Sequence, residues 1–101
     1  MTIKEGTGAQ ALNDSYVGIK YMAGNMNGEI FEDNLTKDGN LRIKIGQVDV
    51  IKGLEEGVKT MRAGGNAIFF IPPNLAYGNR GRLGVSPNSK VAYVVFLSEV
   101  N

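Results

Sequence analysis

The sequence predicts an α+β fold in which one short helix accompanies about five strands of an antiparallel sheet. Three observations lead there. Apolar residues alternate with polar ones over 17–22 and 41–45, and a longer apolar run covers 91–97. A single stretch, around 53–61, has helical spacing instead. Most connections between these segments are turns too short to hold the crossover helix that parallel strands require.

Taking the elements in order, Val17, Ile19 and Tyr21 alternate with Gly18, Lys20 and Met22, a period of two that gives a strand one buried face. Asn25 to Gly28 is a turn signal. Ile30-Phe31 begins a second strand, and Glu32 to Asn40 is polar enough for a surface loop. Leu41, Ile43 and Ile45 alternate with Arg42 and Lys44, a further strand that Gly46 ends. Ile51, Leu54, Val58 and Met61 recur at i, i+3, i+7 and i+10, so residues 53–61 form an amphipathic helix, stopped by Gly64-Gly65. Its acids come early and its bases late, as the helix dipole favours. Ala67 to Ile71 is an apolar strand halted by Pro72-Pro73, which cannot donate to a sheet ladder. Ala76-Tyr77-Gly78 places an aromatic in a loop, and Asn79 to Asn88 reads as a mobile loop. Val91, Tyr93, Val95 and Leu97 share one face of the last strand, with Ala92, Val94 and Phe96 on the other. A strand apolar on both faces belongs in the middle of its sheet.

Composition narrows the chemistry. The 101 residues suffice for one domain, 1–101, with one modest core. Eleven bases against ten acids give a net charge of +1, which points to no nucleic-acid or membrane-surface partner. There is no cysteine and no histidine. That removes thiolate zinc sites, cysteine nucleophiles and the usual base near neutral pH, so no metal or cofactor is expected. Residues 1–13 have no apolar core of signal-peptide length, and no run approaches a membrane span. The compartment stays open between cytoplasmic and exported.

The stretch from Val48 to Gly78 carries a more specific signal. It contains Val50-Ile51-Lys52-Gly53-Leu54, then Gly57-Val58-Lys59-Thr60-Met61, Gly64, Ile71-Pro72 and Ala76-Tyr77-Gly78. This pattern closely resembles the FKBP-type peptidyl-prolyl isomerase family. The resemblance covers roughly residues 2–100 and is weakest before residue 16. It implies a bent antiparallel sheet wrapped round one short helix, with a pocket between them. It also implies rotamase activity on X–Pro bonds in proline-containing peptides and unfolded chains, assisting protein folding, by a monomer.

Carried over by position, the implied catalytic residues are Tyr21, Phe31, Glu32, Ile51, Tyr77 and Tyr93, with Leu41, Val50, Leu54 and Arg82 contacting substrate. Tyr21, Phe31 and Tyr93 would line the proline-ring cavity over a floor at Leu54. The Ile51 backbone N–H and the Tyr77 hydroxyl would grip ligand carbonyls. Leu54 stands where many members have tryptophan, and Leu41 and Tyr93 replace frequent phenylalanines. Glu32 replaces an aspartate. The pocket is thus less aromatic, and macrolides of the rapamycin and tacrolimus type would bind with reduced affinity. Lys20, Arg80 and Arg82 would make its rim basic.

Read singly, most of these residues are plain core, Glu32 and Asp33 a solvated acidic pair, and Arg80 and Arg82 a solvated basic loop. Joint spacing lifts them out of that reading. The competing expectation is a non-catalytic FKBP-like peptide-binding or chaperone module. An unrelated interaction domain would require the spacing to be chance.

Overall fold

The alternation over 17–22 and the two-sided apolar run near the C-terminus become the two long strands that pair at the centre of the sheet. The computed structural model describes residues 1–47 and 50–101; Val48 and Asp49, the first two residues of the motif-bearing stretch, lie outside the described residues. In chain order the elements are β1 (Thr2–Lys4), β2 (Tyr16–Asn25), β3 (Ile30–Asp33), β4 (Leu41–Lys44), α1 (Lys52–Val58), β5 (Asn66–Ile71), a 3₁₀ turn (Pro73–Leu75) and β6 (Val91–Val100). Among the described residues six strands form one antiparallel sheet, five of them in the order β1-β5-β6-β2-β3. β4 pairs with the same edge of β2 that takes β3: β3 covers Met22 to Gly24 and β4 covers Tyr16 to Ile19.

The middle position of β6 follows from its apolar faces. Val91, Tyr93, Val95 and Leu97 are buried, whereas Ala92 and Val94 are half-buried and Phe96 is exposed. The buried face of β6 meets Val17, Ile19, Tyr21 and Ala23 of β2 and Ala67 and Ile71 of β5 in one core. Leu54 and Val58 bring α1 onto that face, over β5 and β6. A helix of seven residues is too short to hold itself together in water, so this packing forms it. Each of those two buried side chains is worth about 1.5–3 kcal/mol. Glycine permits the approach. Gly57 lies against the ring of Phe69, and Gly53 against Ile71.

One sequence expectation is extended and three are corrected. The sheet has a sixth strand, β1, whose three residues are all exposed and which is held by pairing with β5. The helix ends at Val58 rather than continuing through Met61 to Gly64. Thr60 turns the chain back there, its backbone N–H and its hydroxyl both donating to the Gly57 carbonyl, at 3.0 and 2.6 Å. Met61 is still buried, carried by the turn, while Lys59 falls outside the helix so that no base lies in its last turn. Glu32 and Asp33 belong to β3 rather than to a loop, and Ile45 lies in the turn after β4.

The segment before β2 is stitched to the chain after the helix. Gly8 donates to Ala63, Ala63 to Ala9 and Ala11 to Met61, at 2.9–3.1 Å. Among the described residues no helix is long and apolar enough to cross a membrane.

Candidate functional site

The site is built where four strands, the start of the helix and the loop after the 3₁₀ turn converge. β2 delivers Tyr21, β4 Leu41 and β6 Tyr93, each on the inward face of its strand, and β3 delivers Glu32. Val50, Ile51 and Leu54 come from the helix start, and Tyr77 and Arg82 from the loop between Leu75 and Val91. Together they line a cavity of about 470 Å³. Nine of the ten residues expected from the sequence therefore surround one space. Phe31, the tenth, stands behind it. Its ring meets Tyr77 edge-on at 5.9 Å and Tyr93 at 6.5 Å, each at 80°.

The aromatic wall is tightly interlocked. Tyr21 and Tyr93 stack at 5.9 Å with 18° between their planes. Leu54 is only 2% exposed, so it is at once core residue and cavity surface. On the loop side, Tyr77 Oη and Tyr93 Oη are 2.9 Å apart. On the helix side, Ile51 caps α1 with φ −60° and ψ 146°, its carbonyl accepting from Leu54 and Glu55. Among the described residues no backbone carbonyl accepts from the Ile51 N–H.

Arg82 departs from the solvated loop cation that its sequence context suggests. Its guanidinium carbon lies 5.0 Å from the centroid of Phe31 and 5.5 Å from that of Tyr77. Its Nη1 pairs with Glu32 Oε1 at 3.4 Å. Glu32 is likewise paired, so the two opposite charges at the mouth face each other. Lys20 does not reach the rim. It lies on the opposite face of β2 from Tyr21, and its Nζ donates to the carbonyls of Asn34 and Lys37. Arg80 is exposed and outside the cavity lining, so the basic rim is reduced to one paired arginine.

Burial keeps the Tyr21 and Tyr93 hydroxyls protonated. Burial, followed by the charge of Glu32, pushes the Tyr21 hydroxyl up to about 12. Burial and then the Tyr77 hydroxyl raise Tyr93 further. The Tyr77 hydroxyl, ahead of Glu32, holds Arg82 above its ordinary range. No three Asp or Glu side chains gather as a metal site among the described residues. What the cavity can offer is an aromatic and aliphatic wall from Tyr21, Tyr93, Leu41, Val50 and Leu54, with polar groups of Tyr77, Glu32 and Arg82 beside it.

Two contributors escape sequence reasoning. Asn34 is the buried polar residue of the core region; its Oδ1 accepts from the Tyr21 N–H at 2.7 Å and its Nδ2 donates to the Ile19 carbonyl at 3.0 Å. It thereby fills the gap on β2 between the stretches paired with β3 and β4, and fixes the backbone that carries Tyr21. The Tyr77–Tyr93 hydroxyl pair is the second. Neither has a local signal, because the partners lie 13 to 16 residues apart.

Comparison with known proteins agrees with this geometry. The family model for the FKBP-type peptidyl-prolyl cis-trans isomerase matches residues 8–98. FK506-binding protein 4 of Neurospora crassa is 40% identical over 97 residues, covering 96% of this chain and 21% of that protein. FK506-binding protein 3 of Candida albicans is 35% identical over 94 residues, covering 93% of this chain and 22% of that one. The chain spans about a fifth of the length of these curated relatives. The crystal structure of FkpA from Escherichia coli superposes with a TM-score of 0.89 at 31% identity, covering all of this chain and 46% of that one. A family model matched over nearly the whole chain, a shared fold and the cavity described above lead to one assignment: the chain belongs to the FKBP-type peptidyl-prolyl cis-trans isomerase family.

Proposed function

We propose that this chain is a peptidyl-prolyl cis–trans isomerase that accelerates rotation about X–Pro bonds in peptides and unfolded chains. One observation carries the reading. A cavity floored by Leu54 and walled by Tyr21 and Tyr93 has donors on two sides, the Ile51 N–H and the Tyr77 hydroxyl.

The chemistry follows from the bond. The barrier to rotation, about 18–20 kcal/mol, is lost amide resonance. The planar amide has a polarised carbonyl that water stabilises, whereas the twisted amide is less polar and frees its nitrogen lone pair. Excluding water therefore favours the twisted form relatively, and fixed donors hold the carbonyl while the bond turns. A ten-thousandfold acceleration needs about 5.5 kcal/mol, within reach of desolvation plus one or two hydrogen bonds. No nucleophile, metal or cofactor is needed.

The roles divide by position. Leu54, Leu41 and Val50 receive the proline ring and its neighbour. Tyr21, Phe31 and Tyr93 shape the aromatic wall, and Glu32 with Arg82 braces it from the mouth. The unit acts as a monomeric domain spanning residues 1–101. Macrolides of the rapamycin and tacrolimus type bind the same cavity, more weakly than where tryptophan forms the floor.

The test is the refolding of a substrate protein limited by proline isomerisation. Micromolar chain should shorten the slow phase, and Tyr77→Phe should shorten it less. An unchanged slow phase, with proline peptides still bound, would establish the non-catalytic binding module instead.

A further inference from the structure

The hydroxyl pair at the cavity wall has a direction. Tyr77 Oη and Tyr93 Oη are 2.9 Å apart, so one donates to the other. Tyr93 is 2% exposed, and its ring is clamped between the stack with Tyr21 and the edge of Phe31. Among the described residues its hydroxyl reaches no polar partner other than Tyr77. If Tyr93 accepted, its own hydrogen would be buried without an acceptor. Buried hydroxyls avoid that arrangement. Tyr77 is half-buried, lines the cavity, and has the Arg82 guanidinium, a group with donors only, over the face of its ring. Once its oxygen accepts from Tyr93, its own hydrogen is left to turn into the cavity. Burial also raises Tyr93, which keeps that proton in place at alkaline pH.

We infer that Tyr93 is a positioning residue: its O–H donates to Tyr77 Oη and so aims the Tyr77 O–H at the carbonyl of the bound X–Pro ligand. A hydroxyl that accepts one hydrogen bond becomes a stronger donor of the next, so the pair both orients and polarises the group that holds the carbonyl. This deepens the isomerase reading and rests on it. It also gives the tyrosine at position 93 a task that a phenylalanine there could not perform.

A mutant cycle and a spectroscopic measurement test the inference together. Tyr93→Phe keeps the ring, its stack on Tyr21 and the shape of the core. It should lower kcat/KM on a Leu-Pro peptide by about fivefold, the scale of one neutral hydrogen bond. In the Tyr77→Phe background the same change should cost nothing further, because Tyr93 acts only through Tyr77. A merely structural tyrosine would give the same loss in both backgrounds, and that result overturns the proposal. So does a gain in turnover on Tyr93→Phe, which would mean that Tyr93 sequesters the Tyr77 proton.

The direction of the bond is read on the unaltered protein. With ¹³Cζ-labelled tyrosine in mixed H₂O and D₂O, a slowly exchanging hydroxyl shows a resolved isotope splitting. Tyr93 should split and Tyr77 should not; the reverse pattern refutes the assignment even if every variant were to misfold. Absence of isomerase activity in the unaltered protein would sink the isomerase reading separately. The exchange pattern and the effect of Tyr93→Phe on the Kd of the same peptide, expected to rise about fivefold, would still decide the role of the pair.

Discussion

Replacing Gly53 by alanine sets helix propensity against packing, and the structure says packing wins. A methyl group on Gly53 would lie 2.4 Å from Ile71 Cγ2 and 3.2 Å from both Ile71 Cγ1 and the Leu75 carbonyl. An ordinary contact is 3.4–4 Å, so the helix and β5 must separate by about 1 Å. Ile71 cannot move aside, because it is buried in the core against its neighbours. In an open helix, alanine would be favoured over glycine by about 1 kcal/mol. Overpacking a rigid site costs about 1–3 kcal/mol, and an overlap this large belongs at the upper end. The net expectation is a loss of about 1–2 kcal/mol, or a fall in Tm of roughly 5–15 °C for a chain of this size.

Gly57→Ala is the control. Its methyl would lie 2.9 Å from three atoms of the Phe69 ring, but Phe69 is only half-buried and can swing outward. Its net effect should be close to zero. Urea denaturation of both variants, with peptide turnover measured alongside, gives the ordering. Gly53→Ala should also lose turnover, since the displaced helix carries Leu54 and follows Ile51. If Gly53→Ala is instead stabilised by about the 1 kcal/mol of propensity, the account of how the helix docks is wrong.

Three further outcomes follow from the site. Turnover on an uncharged peptide should be flat between about pH 6 and 8, because no histidine is present and side-chain carboxylates and tyrosines ordinarily titrate well outside that range; a bell-shaped profile would mean that proton transfer takes part. Stability should fall at high pH. The Tyr21 hydroxyl is raised from 10.0 to about 12 in the fold, so the unfolded chain loses that proton first and stability declines from about pH 10 to 12, a slope that Tyr21→Phe should reduce in denaturation midpoints. Leu54→Trp should tighten tacrolimus binding near tenfold, from about 40–60 Å² of added apolar contact at ~25 cal/mol per Å². Because Leu54 is also core, the variant should lose about 1–3 kcal/mol of stability; a fallen Tm with no gain in affinity would show that Leu54 is not the floor.

How far the sequence reaches depends on whether an interaction leaves a local trace. β2, β4 and β6 were legible because burial on one face imposes a period of two, as Val17, Ile19 and Tyr21 show. β1 was not, because Thr2, Ile3 and Lys4 are all exposed and main-chain pairing with β5 alone defines them. The helix face was read correctly at Leu54 and Val58, but Met61 continued the period beyond the helix; its burial comes from the turn that Thr60 makes on Gly57.

Of the cavity lining, Val50, Ile51, Leu54 and Tyr77 were legible through fixed spacings in the motif-bearing stretch, and the five residues outside it only through the family resemblance those spacings carry. What those residues do to one another was not. Arg82 and Glu32 are 50 positions apart, and nothing local in either segment announces that the arginine lies over Phe31 and Tyr77 or that its charge is paired. Asn34 reads as one more polar residue in a polar run until the break in pairing along β2 gives it a partner.

The central claim is that the cavity turns X–Pro bonds by holding a desolvated carbonyl between fixed donors. Proton exchange spectroscopy on a Leu-Pro tetrapeptide, with amide shifts of the labelled protein followed in the same titration, tests it most directly. The account predicts cis–trans exchange accelerated at micromolar protein, insensitive to chelator, with the Ile51 amide among the most shifted and the rate reduced by Tyr77→Phe. Peptide that binds at Ile51 while its exchange stays at the uncatalysed rate would contradict it.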